Sequence, residues 1–64
     1  MKFECEINMD NAVFDEPSHA SVELSDILKR ISREVDEFDC VERTKAVWDY
    51  NGNKIGTWKI TNDR

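Results

Sequence analysis

The chain predicts a small α+β domain: a three-stranded sheet with one amphipathic helix across one face, in the order β-α-β-β. Three observations carry this. Residues 2–9 alternate apolar and polar, the period of a half-buried strand. Leu24, Ile27, Leu28, Ile31, Val35 and Phe38 then recur at 3–4 spacing, the period of a helix with one buried stripe. Two β-rich runs, 42–50 and 54–61, flank Asn51-Gly52-Asn53, whose Asn-Gly pair is the strongest short hairpin signal.

In the first strand Phe3, Cys5, Ile7 and Met9 face one way, and Lys2, Glu4, Glu6 and Asn8 the other. Asp10-Asn11 supplies turn chemistry. Val13 and Phe14 follow and are expected to tuck under the domain. Asp15-Glu16-Pro17-Ser18 reads as a helix start: proline fits the first turn, acids suit the positive end of the helix, and Ser18 can cap. The helix spans about 20–38. Its outer face carries Glu23, Asp26, Lys29, Arg30, Arg33, Glu34, Asp36 and Glu37, with Asp26 and Arg30 spaced as an i,i+4 ion pair. The acids Asp36, Glu37 and Asp39 oppose the helix dipole.

Alternation leaves the hairpin with apolar residues on both faces. A two- or four-residue loop puts Val47, Gly56, Trp58 and Ile60 on one face, and Ala46, Trp48, Tyr50 and Ile55 on the other. A three-residue loop with a bulge instead gathers Ala46, Trp48, Tyr50, Trp58 and Ile60, leaving Val47 and Ile55 outside. In the first register Trp48, Tyr50 and Ile55 form an open apolar patch of the kind that marks contact surfaces. A homodimer through that face would relieve the shortage of core. The simplest sheet is antiparallel throughout, but a strand-helix-strand connection could instead place strand 1 parallel to strand 2, so the strand order stays open.

Sixty-four residues allow one domain, 1–64. Mean hydropathy is −0.69, and no apolar run approaches the 20 or so residues of a membrane span. The net charge is −5. Residues 1–42 hold twelve acids against four bases, and residues 43–64 two acids against five bases. Direct binding to nucleic acid is disfavoured, since phosphates need a basic surface. An acidic face favours a basic partner protein, although acid surfaces also simply confer solubility.

Two cysteines without a secretory leader read as free, buried thiols in a reducing cytoplasm. The acids before Cys40 argue against a reactive thiol. Cys5, His19 and Cys40 are too scattered for a metal site, and Asp10, Asp15 and Glu16 lack calcium-loop spacing. Neither a phosphate loop nor a catalytic triad is legible, so no catalytic residue and no cofactor is expected.

Much of the chain resembles a family of small bacteriophage proteins. The likeness rests on Met1-Lys2-Phe3 with its alternating strand, on Asp10-Asn11-Ala12-Val13-Phe14, on the Leu24-Ile27-Leu28 helix, and on Asp49 to Trp58, containing Asn51-Gly52-Asn53 and Gly56. Trp48 departs from the polar residue expected there. The resemblance implies phage origin and a cytoplasmic role in the infected bacterial cell, and it carries no assigned chemistry. The leading expectation is a non-enzymatic inhibitor of a host defence or nucleic-acid-binding protein with a basic surface. Trp48, Tyr50 and Ile55 would anchor it while Glu34, Asp36, Glu37 and Asp39 engage the partner's bases. Two rivals are a nucleotide-binding or sequestering protein that uses Arg43, Lys45, Lys54 and Lys59, and an accessory subunit of a larger phage complex.

Overall fold

A computed structural model describes residues 1–10, 12–37, 39 and 41–62, without the side chain of Val13. Expectations for Asn11, Phe38, Cys40, Asp63, Arg64 and the Val13 side chain lie outside the described residues. The elements are β1 (Lys2–Ile7), a 3-10 turn (Ala12–Phe14), α1 (Pro17–Glu37), β2 (Arg43–Trp48) and β3 (Lys54–Thr61). The sheet order is β1-β3-β2, with both neighbours antiparallel to β3. This is the expected α+β domain, and its order settles which strand is central.

β1 stops at Ile7, two residues early. The Asn8 carboxamide oxygen accepts from the amide of Asp10 at 2.8 Å, an Asx turn that carries the chain off the sheet. The helix starts earlier than its apolar stripe. Pro17 takes the first helical position, where a missing amide costs nothing. The Glu16 carbonyl accepts the first helical bond from Ala20 at 2.8 Å. Ser18 is therefore inside the helix rather than its cap, and its hydroxyl donates to the Glu16 carboxylate at 3.3 Å.

Directly opposed residues of an antiparallel pair share a face. The register therefore places Phe3, Cys5 and Ile7, Gly56, Trp58 and Ile60, and Arg43, Lys45 and Val47 under the helix. Among the described residues the buried apolar core is Phe14, Ala20, Ile27, Ile31, Val47, Ile55, Trp58 and Ile60. Trp58 and Ile27 are wholly enclosed. Phe14 does tuck under the domain as expected. Cys5 does not: it is exposed, although its partial desolvation still raises the thiol above its usual pKa. The β1 side of the core is thin, with Phe3 half exposed and its ring 5.8 Å from that of Trp58.

The hairpin resolves its two-faced problem with two irregularities. Gly52 donates to the Asp49 carbonyl at 3.1 Å, and Asp49 donates to the Asn53 carbonyl at 2.9 Å, enclosing a three-residue loop. Only Gly52 takes a positive φ, +84°, and Asn51 does not. Unaided, this loop would turn Val47 outward. A second irregularity follows: Val47 pairs with Gly56 while Trp48 pairs with Lys54, so Ile55 is an extra residue. The bulge shifts the phase of β3 by one. Val47, Gly56, Trp58 and Ile60 therefore share the helix face, as in the first expected register, and Ile55 joins them from the bulge instead of facing out.

Gly56 sits where the bulge brings β3 against β1. A methyl group there would run into the carbonyl of Glu6. The close backbone approach, not a special φ, requires glycine at this point.

Candidate protein-binding surface

The tip of the hairpin is built around one carboxylate. Asp49 Oδ1 accepts from the amides of Asn51 and Asn53, both at 2.9 Å, and Oδ2 accepts from the Asn53 carboxamide at 3.2 Å. The Asn53 amide first, then its carboxamide and the amides of Asn51 and Gly52, hold the Asp49 carboxyl below the usual carboxylate range, outweighing the burial that opposes them. A fixed turn is the result, and it presents Tyr50 outward with 74% of its surface exposed.

Trp48, one strand position before Asp49, is also half exposed. Its carbonyl points off the free edge of β2 and accepts from the Arg30 guanidinium at 2.6 Å. Arg30 thus crosses to the sheet instead of forming the expected helical pair with Asp26. The contact fixes the hairpin against the middle of α1 and closes an edge carbonyl that a second strand could otherwise use.

Beyond Arg30 the hairpin tip and the first half of α1 enclose an open cleft of about 540 Å³. Its lining includes Tyr50, Val22, His19, Glu16, Glu23 and Asp26. Val22 is apolar yet 62% exposed. The cleft therefore pairs an exposed aromatic and an exposed aliphatic side chain with three carboxylates. Those carboxylates come from one helix flank and its preceding turn, and neither lysine nor arginine lines the space.

This arrangement corrects the sequence-based site. Tyr50 and Trp48 are exposed as expected, whereas Ile55 is only 6% exposed and belongs to the core, because the bulge turns it inward. The open face is thus smaller than a Trp48–Tyr50–Ile55 patch. Glu34 is half buried and accepts from the indole N–H of Trp58 at 3.2 Å, so it supports the core. Asp36, Glu37 and Asp39 are exposed. Asp36 lies ten residues beyond Asp26, about 15 Å along the helix. Those acids and the hairpin aromatics are separate surfaces. The acids that do accompany Tyr50 are Glu16, Glu23 and Asp26. Their one legible signal was Val22, an apolar residue off the buried stripe.

The four basic residues of the rival reading do not converge. Arg43 and Lys45 lie on the helix side of β2, Lys59 lies on the opposite face 3.8 Å from Glu4, and Lys54 sits across from Trp48. Among the described residues no three His, Cys, Asp or Glu side chains are placed to share a metal ion. No described helix is long and apolar enough to cross a membrane. Comparison with family models, with curated proteins and with solved structures found no match.

Proposed function

We propose that this chain is a non-enzymatic, phage-type interaction protein that blocks a basic surface of a bacterial host protein from within the cytoplasm. The observation that carries the reading is the cleft at the hairpin tip. Tyr50 and Val22 offer apolar contact, and Glu16, Glu23 and Asp26 offer negative charge with His19 beside them but no lysine or arginine. A lysine or arginine entering it would meet carboxylates on the helix and the face of an aromatic ring on the hairpin, a pairing that favours cations. The turn around Asp49 holds Tyr50 in place beforehand, which reduces the ordering cost of binding. A surface that attracts bases in this way suits proteins that themselves bind nucleic acid or serve in defence against it.

The test uses the chain as bait in a bacterial lysate treated with nuclease, followed by titration of the purified partner. A stoichiometric partner whose affinity falls with Tyr50→Ala and with Glu23→Lys/Asp26→Lys supports the proposal. A partner indifferent to all three changes overturns the cleft as the site. Loss of the partner after nuclease treatment overturns direct protein contact.

A further inference from the structure

We propose that β1 is a self-pairing edge: two copies of this chain join antiparallel along Lys2–Ile7 to make one six-stranded sheet with both helices on the same face. This surface lies on the side of the helix away from the hairpin-tip cleft, so the inference is independent of the function proposed above.

The backbone supplies the first argument. The Asn8 amide donates to the Ile55 carbonyl at 2.7 Å, and the Glu6 carbonyl lies against Gly56. Even-numbered residues of β1 thus direct their backbone groups at β3. By the alternation of the pleat, those of Phe3, Cys5 and Ile7 point off the sheet. On β2, by contrast, Arg30 occupies an edge carbonyl.

The helix supplies the second. Its flank toward β1 carries Leu24, Leu28, Ser21, Ser25 and Ser32, while Glu23, Asp26, Arg30 and Glu37 project from the other flank. Leu28 is half exposed, as are Phe3 and Met9. One side of the domain is therefore a helix flank free of acids, with Lys29 at its upper border, above an open apolar strand. A stable interface buries about 800 Å² per partner, roughly a sixth of the 4710 Å² the chain exposes.

Charge identifies the occupant. On the outer face of β1, Glu4 stands opposite Lys59 with 3.8 Å between their charged atoms. Lys2 and Glu6 instead stand opposite Thr61 and Thr57. A two-fold axis through Glu4 sets each Lys2 opposite Glu6 of the second copy and each Phe3 opposite its Cys5, with the two Glu4 carboxylates facing across the axis, each beside its own Lys59. That gives two new opposite-charge pairs on the outer face and two apolar pairs on the inner face. An axis through Cys5 would set Glu4 against Glu6 twice. An axis through Phe3 would pair Lys2 with Glu4 twice, but it joins only residues 1–5 and competes with Lys59 for Glu4, whereas the axis through Glu4 uses all of β1.

Sedimentation equilibrium of the intact chain should show a dimer. Lys2→Glu or Glu6→Lys alone, with unchanged circular dichroism, should weaken it about tenfold or more, and the double swap Lys2→Glu/Glu6→Lys should restore it. Glu4→Cys, with Cys5→Ser and Cys40→Ser, should cross-link across the axis on mild oxidation. A chain that stays monomeric at NMR concentrations overturns the proposal. So does a dimer that ignores both single reversals, or one broken by Tyr50→Ala instead.

Discussion

The indole N–H of Trp58, in the centre of the sheet, donates to the Glu34 carboxylate on the helix above it at 3.2 Å. Trp58 is the larger of the two fully buried side chains among the described residues. Its one polar atom needs an acceptor, and the helix supplies it from the rim of the apolar stripe. The bond fixes which helical turn lies over the central strand.

Removing either partner should therefore be costly in different ways. Trp58→Ala should destabilise by about 3–5 kcal/mol through the cavity it leaves. Glu34→Ala should cost about 1–3 kcal/mol by stranding a buried donor, and Glu34→Gln less, since it keeps an acceptor. Urea denaturation followed by far-ultraviolet circular dichroism measures all three. Similar stability for Glu34→Ala and wild type would mean that water replaces the carboxylate.

The two glycines of β3 and its turn should respond differently to alanine. Gly52→Ala meets no neighbouring atom but must hold φ near +84°, at a cost of about 1 kcal/mol. Gly56→Ala drives a methyl group into the Glu6 carbonyl and should separate β1 from β3. Hydrogen exchange distinguishes them: protection across β1 should fall for Gly56→Ala and persist for Gly52→Ala.

Acid should loosen the hairpin. The Asp49 carboxyl is depressed in the folded chain by the amides it accepts from. Its contribution is complete above the unfolded aspartate value of about 3.9 and is lost as pH falls through the lower folded value. Asp49→Asn should remove this part of the acid dependence. Stability curves of the two proteins between pH 2 and 6 compare it directly; parallel curves would show that other carboxyls dominate.

The surface aromatic should matter to binding and hardly at all to folding. Tyr50→Ala and Val22→Ala touch exposed side chains and should change stability by no more than about 0.5 kcal/mol. An anchor in the centre of an interface typically costs about 2 kcal/mol or more on truncation. Calorimetric titration of the partner, beside thermal melts of each variant, separates the two effects.

The elements were legible because each has its own period. Residues 2–7 alternate, residues 24–35 repeat at helical spacing, and Asn51-Gly52 marks the turn. The site was only partly legible because it depends on register, which a single bulge can reverse. Each half of the hairpin was consistent with two faces, and the bulge at Ile55 mixed them by sending Val47 and Ile55 inward together. Glu34 was misread because position in a helical repeat shows which flank a residue occupies but not which neighbour lies within reach. The cleft beside Tyr50 joins segments distant in sequence, and only the docking of the hairpin on α1 creates it. The strand order was undetermined because antiparallel pairing of β1 with β3 or parallel pairing with β2 would satisfy the same alternation.

That order has a consequence for how the chain comes into being. β3 hydrogen-bonds to both other strands, yet it follows them in the chain. During synthesis β1 and α1 leave the ribosome first, and at about 5–20 residues per second they wait several seconds for the strand that joins them. Throughout that interval β1 has no partner in its own sheet, and Phe3 has no Trp58 to rest against. The nascent chain is most vulnerable to misassociation just before β3 arrives, and a chain cut short of β3 would have a helix and two strands with nothing between them.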